Sequence, residues 1–387
     1  MTERQRLITK YTQRLYMATN ARYQLHFLRN ETDESAKSMI LDTLNKMIKD
    51  TNNETLQAAL SNVLKNSKAD IKFGQHTKNK QKIPKDMQDG HRMGGSKDKD
   101  YKQTGSYQYL SLYLEDALKS FSKYIEECRS KTGTVSYADK MYKERTEINL
   151  VFGNYAEALS LSQKGNLPDM AFVAAIAKGD FETAKQYIEP NLQTVVRNIQ
   201  EKQLIASTFE MIHLISFVLF ATSTSTETQR ITDQLYSSTN YELTELRAWR
   251  DAFCQRNFVA VLKNLSAMKK VFELSIYTSP VIQELSNAII QNVIVLTLFP
   301  LARAQISTLC NDLGLSAPDI ISFIQKSIRQ RKLNGKLDLT NNTYNSNFIV
   351  DNEYYQTRDY FNQITDIRQK FQLNLWVKEY NATVKRK

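Results

Sequence analysis

Glycine and proline are scarce, at 11 and 6 in 387 residues. Sandwiches and barrels built from many short strands need more turn residues than that, so long helices with brief connections are favoured. Cysteine is scarcer still. Cys128, Cys254 and Cys310 stand far apart, an odd number without any C-x-x-C pair. That excludes a disulfide framework and a cysteine zinc ribbon, and it fits a reducing compartment. The four histidines, His26, His76, His91 and His213, are scattered, and neither H-E-x-x-H nor H-x-H with a following Asp occurs, so a zinc hydrolase of either pattern is not expected. His213, between Ile212 and Leu214, reads as a core histidine, and His26 as a helix-surface residue. G-x-x-x-x-G-K-(Ser/Thr), G-x-S-x-G and a cysteine-protease signature are all missing, which leaves no phosphate cradle and no recognisable nucleophile. No catalytic residue, cofactor or metal is expected.

What is present is ordinary for a folded chain: 41% hydrophobic and 24% charged residues. The balance is basic, with 52 Lys and Arg against 41 Asp and Glu, or +11, which favours acidic partners. Part of that excess is local, since residues 72–105 carry nine cations against four acids. The N-terminus shows no apolar signal core, so secretion is not expected. Leu285–Ala302 is uncharged over 18 positions but contains Ser286, Asn287, Gln291, Asn292, Thr297 and Pro300. So many polar side chains are costly in lipid, and a buried helix is expected there instead of a membrane span.

Five regions follow from the patterning. Residues 1–72 carry apolar residues at helical spacing, with Leu15, Leu25 and Leu28, then Met39, Ile40, Leu44, Met47 and Ile48, then Leu56, Leu60, Val63 and Leu64. Residues 73–105 hold five of the glycines and few aliphatics and read as a basic flexible linker. Residues 106–295 read as a helical-repeat array. Val151-Phe152-Gly153-Asn154-Tyr155 precedes Ala158, and Ala177-Lys178-Gly179-Asp180-Phe181 precedes Ala184. Glycine closes one helix, Asn or Asp caps the next, and alanine lets two helices approach. Weaker copies stand at Leu114…Ala117 and Phe258…Val261. The intervals of 41, 26 and 77 residues predict tetratricopeptide-like units of about 38, and Thr222–Thr228 reads as a polar connector. Residues 296–351 predict a winged helix. A helix over Ala304–Leu313 closes at Gly314, and a second, capped by Ser316 with Pro318 in its first turn, carries Ile320, Ile321, Ile324 and Ile328. An Asn334-Gly335 turn then leads into a strand, with a second strand over Asn347–Asp351. Residues 352–387 contain no Gly or Pro. Phe361, Ile364, Ile367, Phe371 and Leu375 make one apolar stripe, which predicts a long helix that buries itself against a partner. Lys326, Arg329, Arg331 and Lys332 cluster at the end of the second helix, where cations complement its dipole; base reading usually comes from the other end. Nucleic acid is therefore not the expected partner.

A helical-repeat array, a winged helix and a terminal helix in this order resemble the layout of the PCI family, named for the proteasome lid, the signalosome and initiation factor three. Leu333-Asn334-Gly335-Lys336-Leu337-Asp338 is similar to the family's wing motif, Ile276-Tyr277-Thr278-Ser279-Pro280 to its Tyr-x-x-Pro junction, and Asp251-Ala252-Phe253…Asn257-Phe258 to the element before it. Tyr11-x-x-Arg14-Leu15 with Ala18, and Asp89-Gly90-His91 ahead of Asp116-Ala117-Leu118-Lys119, are nearer to the signalosome branch than to the lid branch. The resemblance implies a non-catalytic scaffold in nucleus and cytoplasm. It further implies that Leu333, Lys336, Leu337 and Asp338 of the wing meet neighbouring PCI subunits. The striped terminal helix would enter a shared bundle, and the N-terminal array would reach toward a cullin–RING ligase.

Overall fold

The computed structural model describes residues 2–65, 101–133, 140–192, 205–237 and 243–346. Two compact units divide the chain, Met1–Val293 and Ile294–Lys387.

The first unit is helical. It opens with α1 (Glu3–Thr12), α2 (Met17–Asn30), α3 (Glu34–Thr51) and α4 (Glu54–Lys65). Local chemistry starts each helix. Thr2 and Gln5 form a reciprocal capping box on α1, and the Asp33 carboxylate accepts from the amides of Ser35 and Ala36 on α3. After them come α5 (Tyr101–Leu110), α6 (Leu114–Thr132), α7 (Tyr142–Phe152), α8 (Tyr155–Lys164), α9 (Pro168–Ala177) and α10 (Phe181–Ile188). Then follow α11 (Thr208–Thr222), α12 (Ser225–Ser237), α13 (Thr244–Cys254), α14 (Phe258–Lys263), α15 (Leu265–Leu274) and α16 (Ile282–Leu298), which continues from Ile294 into the second unit.

One joint recurs along this array. The amide of the second or third residue past a helix donates back to the carbonyl five residues earlier: Tyr113 to Gln108, Asn154 to Asn149, Leu167 to Ser162, Asp180 to Ala175 and Asn257 to Ala252, each at 2.8–2.9 Å. The residue before that donor is left-handed, namely Leu112, Gly153, Asn166, Gly179 and Arg256, as a Schellman closure requires. Four residues past each donor sits a small side chain, Ala117, Ala158, Ala171, Ala184 or Val261, all 0–1% exposed. The two weak sequence copies are thus the same joint closed by Leu112 and Arg256 in place of glycine. The spacing differs from expectation. A joint at Asn166–Leu167 lies midway between the two strong copies, so 154, 167 and 180 advance by single helices and a pair takes 26 residues, not 38.

Three other expectations are corrected here. The linker expected over 73–105 gives way to helix α5 from Tyr101, with Gly105 buried against Phe121; residues 73–100 lie outside the described residues. The connector expected over Thr222–Thr228 shrinks to Ser223 and Thr224, because α12 already starts at Ser225 and buries Thr228. His26 is not a surface residue. It is half-buried, and its Nε2 lies 2.8 Å from the Glu273 carbonyl. His213 is buried as expected, with Nδ1 2.8 Å from the Phe209 carbonyl and its pKa lowered to about 4 by burial.

The N-terminal helices belong to this unit. Residues of α2 bond across to α7, where Thr19 meets Glu147 and Arg22 the Leu150 carbonyl, and to α11, where Tyr23 meets Glu210. Helix α16 carries the uncharged run. Ser279–Leu298 is long and apolar enough to cross a membrane, and half of its apolar window is buried inside the protein. Its buried residues Leu285, Ile289, Val293, Ile294 and Leu298 recur at helical spacing, as a core-facing stripe does.

The second unit carries the strands. Its elements are β1 (Arg303–Gln305), α17 (Ile306–Leu313), α18 (Ala317–Arg329), β2 (Gly335–Asp338) and β3 (Thr343–Ser346), in an antiparallel sheet of order β1–β3–β2. This is a winged helix with three strands, not two. The expected helix over 304–313 starts two residues late because Arg303–Gln305 pairs with β3 instead. The expected second strand over 347–351 lies outside the described residues; the strand that pairs with β2 comes just before it. The striped segment with Phe361, Ile364, Ile367, Phe371 and Leu375 also lies outside them.

Candidate partner-binding site

The wing is held by the two helices in front of it. Helix α17 buries Ile306, Leu309 and Leu313 and ends at Gly314, whose amide donates to the Cys310 carbonyl at 2.9 Å. Ser316 caps α18, accepting from the Asp319 amide at 3.3 Å, and Pro318 stands in the first turn, where its missing amide costs nothing. Ile320 and Ile324 are fully buried, while Ile321 and Ile328 are half-buried. The array's joint appears once more at the end of α18, with Arg331 left-handed and the Lys332 amide donating to the Ser327 carbonyl at 2.9 Å. That closure turns Leu333 inward.

The four motif residues are placed in four different ways. Leu333 is 4% exposed; it anchors the wing in the core and offers a partner nothing while that core is closed. Asp338 shapes the wing tip, accepting from the amides of Thr340 (3.0 Å) and Asn341 (3.1 Å) and from Asn341 Nδ2 (2.7 Å). The Asn341 bonds hold its carboxyl below the usual carboxylate range. Leu337 is half-buried in a cross-strand row with Tyr344 and Ala304. Lys336 is exposed and lies in the next row with Asn345 and Arg303. Directly paired residues share a sheet face, so Lys336 and Arg303 flank Asn345 on one side, and Tyr344 and Ala304, both buried, form the other.

Gly335 enters the strand for a steric reason. A Cβ there would lie 2.5 Å from the Tyr344 ring and 2.6 Å from the Asn345 carbonyl. The Asn-Gly pair is therefore not a hairpin turn; the turn between β2 and β3 is the four residues after Asp338.

With β3 in the centre, β2 is an edge strand among the described residues and offers its outer backbone row for pairing. Between 294 and 346 the chain has six cations and three acids. Lys326, Arg329, Arg331 and Lys332 are all exposed near the end of α18. An open edge beside a basic margin can receive an extended strand from an acidic neighbour.

Sequence reasoning missed two charges inside the first unit. Glu147 is 0% and Glu210 1% exposed. Thr19 Oγ1 donates to Glu147 at 3.0 Å, Tyr109 donates to its other oxygen, and Tyr23 donates to Glu210. Burial raises both carboxyls to about 7, against the lowering effect of these hydroxyls. A signal was there for Glu147. Residues 146–151 of α7 are all buried, and their lack of one-sided patterning is what a surrounded helix shows. Glu210 is disguised, because Ser207-Thr-Phe-Glu reads as a solvent-facing capping box.

The junction residues also fall into place. Tyr277 is buried and donates to the Ile205 carbonyl at 2.8 Å, Thr278 donates to the Phe272 carbonyl at 2.6 Å, and Pro280 stands in the 3-10 turn that opens α16. No curated protein matches the chain. The PCI domain family matches residues 249–347, from within α13, through the Asn257 joint and the Tyr277–Pro280 junction, to the end of the wing. Those residues are a PCI domain.

Proposed function

We propose that the chain is a scaffold subunit without catalysis of its own, and that its assembly is the COP-nine signalosome, where it serves as subunit one. PCI domains assemble with other PCI subunits in multiprotein complexes, and the observation that carries the reading is the open β2 edge of such a domain. A neighbouring PCI subunit would add its strand there. The N-terminal array would reach toward a cullin–RING ligase, supporting removal of the ubiquitin-like modifier from the cullin by a different subunit. Residence in nucleus and cytoplasm belongs to the same proposal. The choice over lid subunit seven rests on Tyr11-x-x-Arg14-Leu15 with Ala18 and on Asp89-Gly90-His91.

The striped tail supplies the test. Replacing Ile364, Ile367 and Phe371 together by Asp should abolish co-purification with other PCI subunits while the circular dichroism of the array stays helical. Retained co-purification removes the tail from the assembly mechanism. Mass spectrometry of the unaltered complex separates the branches, since signalosome subunits support the proposal and ATPase-ring proteins the lid alternative. A nucleic-acid adaptor is favoured by one feature, the exposed cations of α18. It predicts binding that falls steeply with salt and weakens when Lys326, Arg329 and Arg331 become Ala.

A further inference from the structure

The hairpin of α1 and α2 sits on the array through an apolar layer that includes Ile8, Tyr11, Leu25 and Phe27, all at most 2% exposed. Two polar contacts cross from α2 inside that buried layer, Thr19 to Glu147 on α7 and Tyr23 to Glu210 on α11. Neither carboxylate has a cation within ion-pair distance among the described residues. Every direct side-chain partner is a hydroxyl, from Thr19, Tyr109 and Tyr23, with Ser275 beside Glu210.

The surrounding titratable groups do not supply the missing charge. Around Glu210 stand Tyr11 of α1, Tyr23 of α2 and Tyr277 of the junction, all neutral phenols held so by burial. His213, one turn along α11, stays neutral, and Lys10 of α1 lies over the Phe209 ring beyond it at 5.2 Å. Around Glu147 stand Tyr16 just before α2, Tyr109 of α5 and, on α7 itself, Glu144 and Lys143. Lys143 lies over the Tyr16 ring at 4.6 Å, and its charge is the least of the influences that lower Glu147. Two other polar side chains of α2 turn elsewhere: Arg22 bonds the Leu150 carbonyl and Tyr155, and His26 faces the Glu273 carbonyl.

We propose that this clasp is a proton-controlled latch: the hairpin of α1 and α2 sits more firmly on the array when Glu147 and Glu210 are protonated, and opens more often when they ionise. Opening hydrates both carboxylates, so loss of each proton favours the open form. Linkage limits the effect to about tenfold per pH unit for each group. Both sites lie between α2 and the array, so the two effects act on one motion.

The test is hydrogen exchange by mass spectrometry on the full-length chain at about pH 6 and about pH 8, with rates normalised for intrinsic exchange. Opening of residues 17–30 should rise at least tenfold in the unaltered protein and change less than about twofold in the Glu147→Gln, Glu210→Gln double variant. An equal rise in that variant, a flat profile in the unaltered chain, or equal opening across 208–222 and 258–274 would overturn the latch. Should the double variant not fold, carbon-13 titration of the two carboxyls in the unaltered chain decides. Midpoints displaced upward uphold the proposal, and midpoints at the ordinary glutamate value end it.

Discussion

At the scale of single residues, the buried carboxyls set the chain's response to pH. Glu147 and Glu210 are raised from 4.5 to about 7 by burial. An acid with a raised folded pKa binds its proton better in the native state, so the native state loses stability as pH rises from the unfolded value to the folded one. Each group costs up to about 3 kcal/mol once ionised. His26 and His213, lowered by burial, act in the opposite sense below the ordinary histidine value. A difference measurement isolates the acids. The stability of the Glu147→Gln, Glu210→Gln variant relative to the unaltered chain should grow between about pH 4.5 and 7 and then level off, read by urea unfolding at each pH. A separate residue prediction concerns Gly335. Gly335→Ala drives a methyl into the Tyr344 ring and a backbone carbonyl, and should cost about 1–3 kcal/mol, seen as a lower thermal midpoint. The motif reading had assigned this glycine to a turn, because spacing cannot report how near a ring will lie.

At the scale of elements, the joint explains both what the sequence announced and what it hid. Gly153 and Gly179 stood out because glycine is the usual left-handed residue. Leu112, Asn166 and Arg256 adopt the same backbone without that mark, so the Asn166 joint passed unread and the repeat seemed longer. Arg256→Gly should therefore stabilise α13 and α14 by roughly 0.5–1 kcal/mol, the strain relieved less the entropy added. Gly179→Ala should destabilise by about 1 kcal/mol or more. Chemical denaturation of the two variants checks the pair. Strand β1 escaped notice for a different reason. Three residues are too few for period-two alternation to show, and only pairing with β3 makes them a strand. Helices α17 and α18 were legible because caps, proline and a one-sided stripe agree there.

At the scale of the whole molecule, the N-terminal segment looked like a region of its own, since a composition break follows it. The break marks the end of a pattern and says nothing of where the pattern packs. Tyr11, Tyr23, Leu25 and Phe27 are buried against helices from much later in the chain, as the Tyr11–Phe209 and Tyr23–Tyr277 ring contacts show. Removing residues 2–30 should strip the array of that cover. The shortened chain is expected to bind a hydrophobic dye and lose its cooperative melt, whereas the proposed tail variant is expected to keep its cover and its melt and lose only co-purified subunits. The sheet order bears on synthesis as well. Among the described residues the last strand takes the middle place, so on a ribosome β1 and β2 emerge with nothing to pair until residues 343–346 follow. The outer edge of β2 therefore becomes part of a sheet only after residues 343–346 have left the ribosome, and a chain interrupted before them has no finished wing.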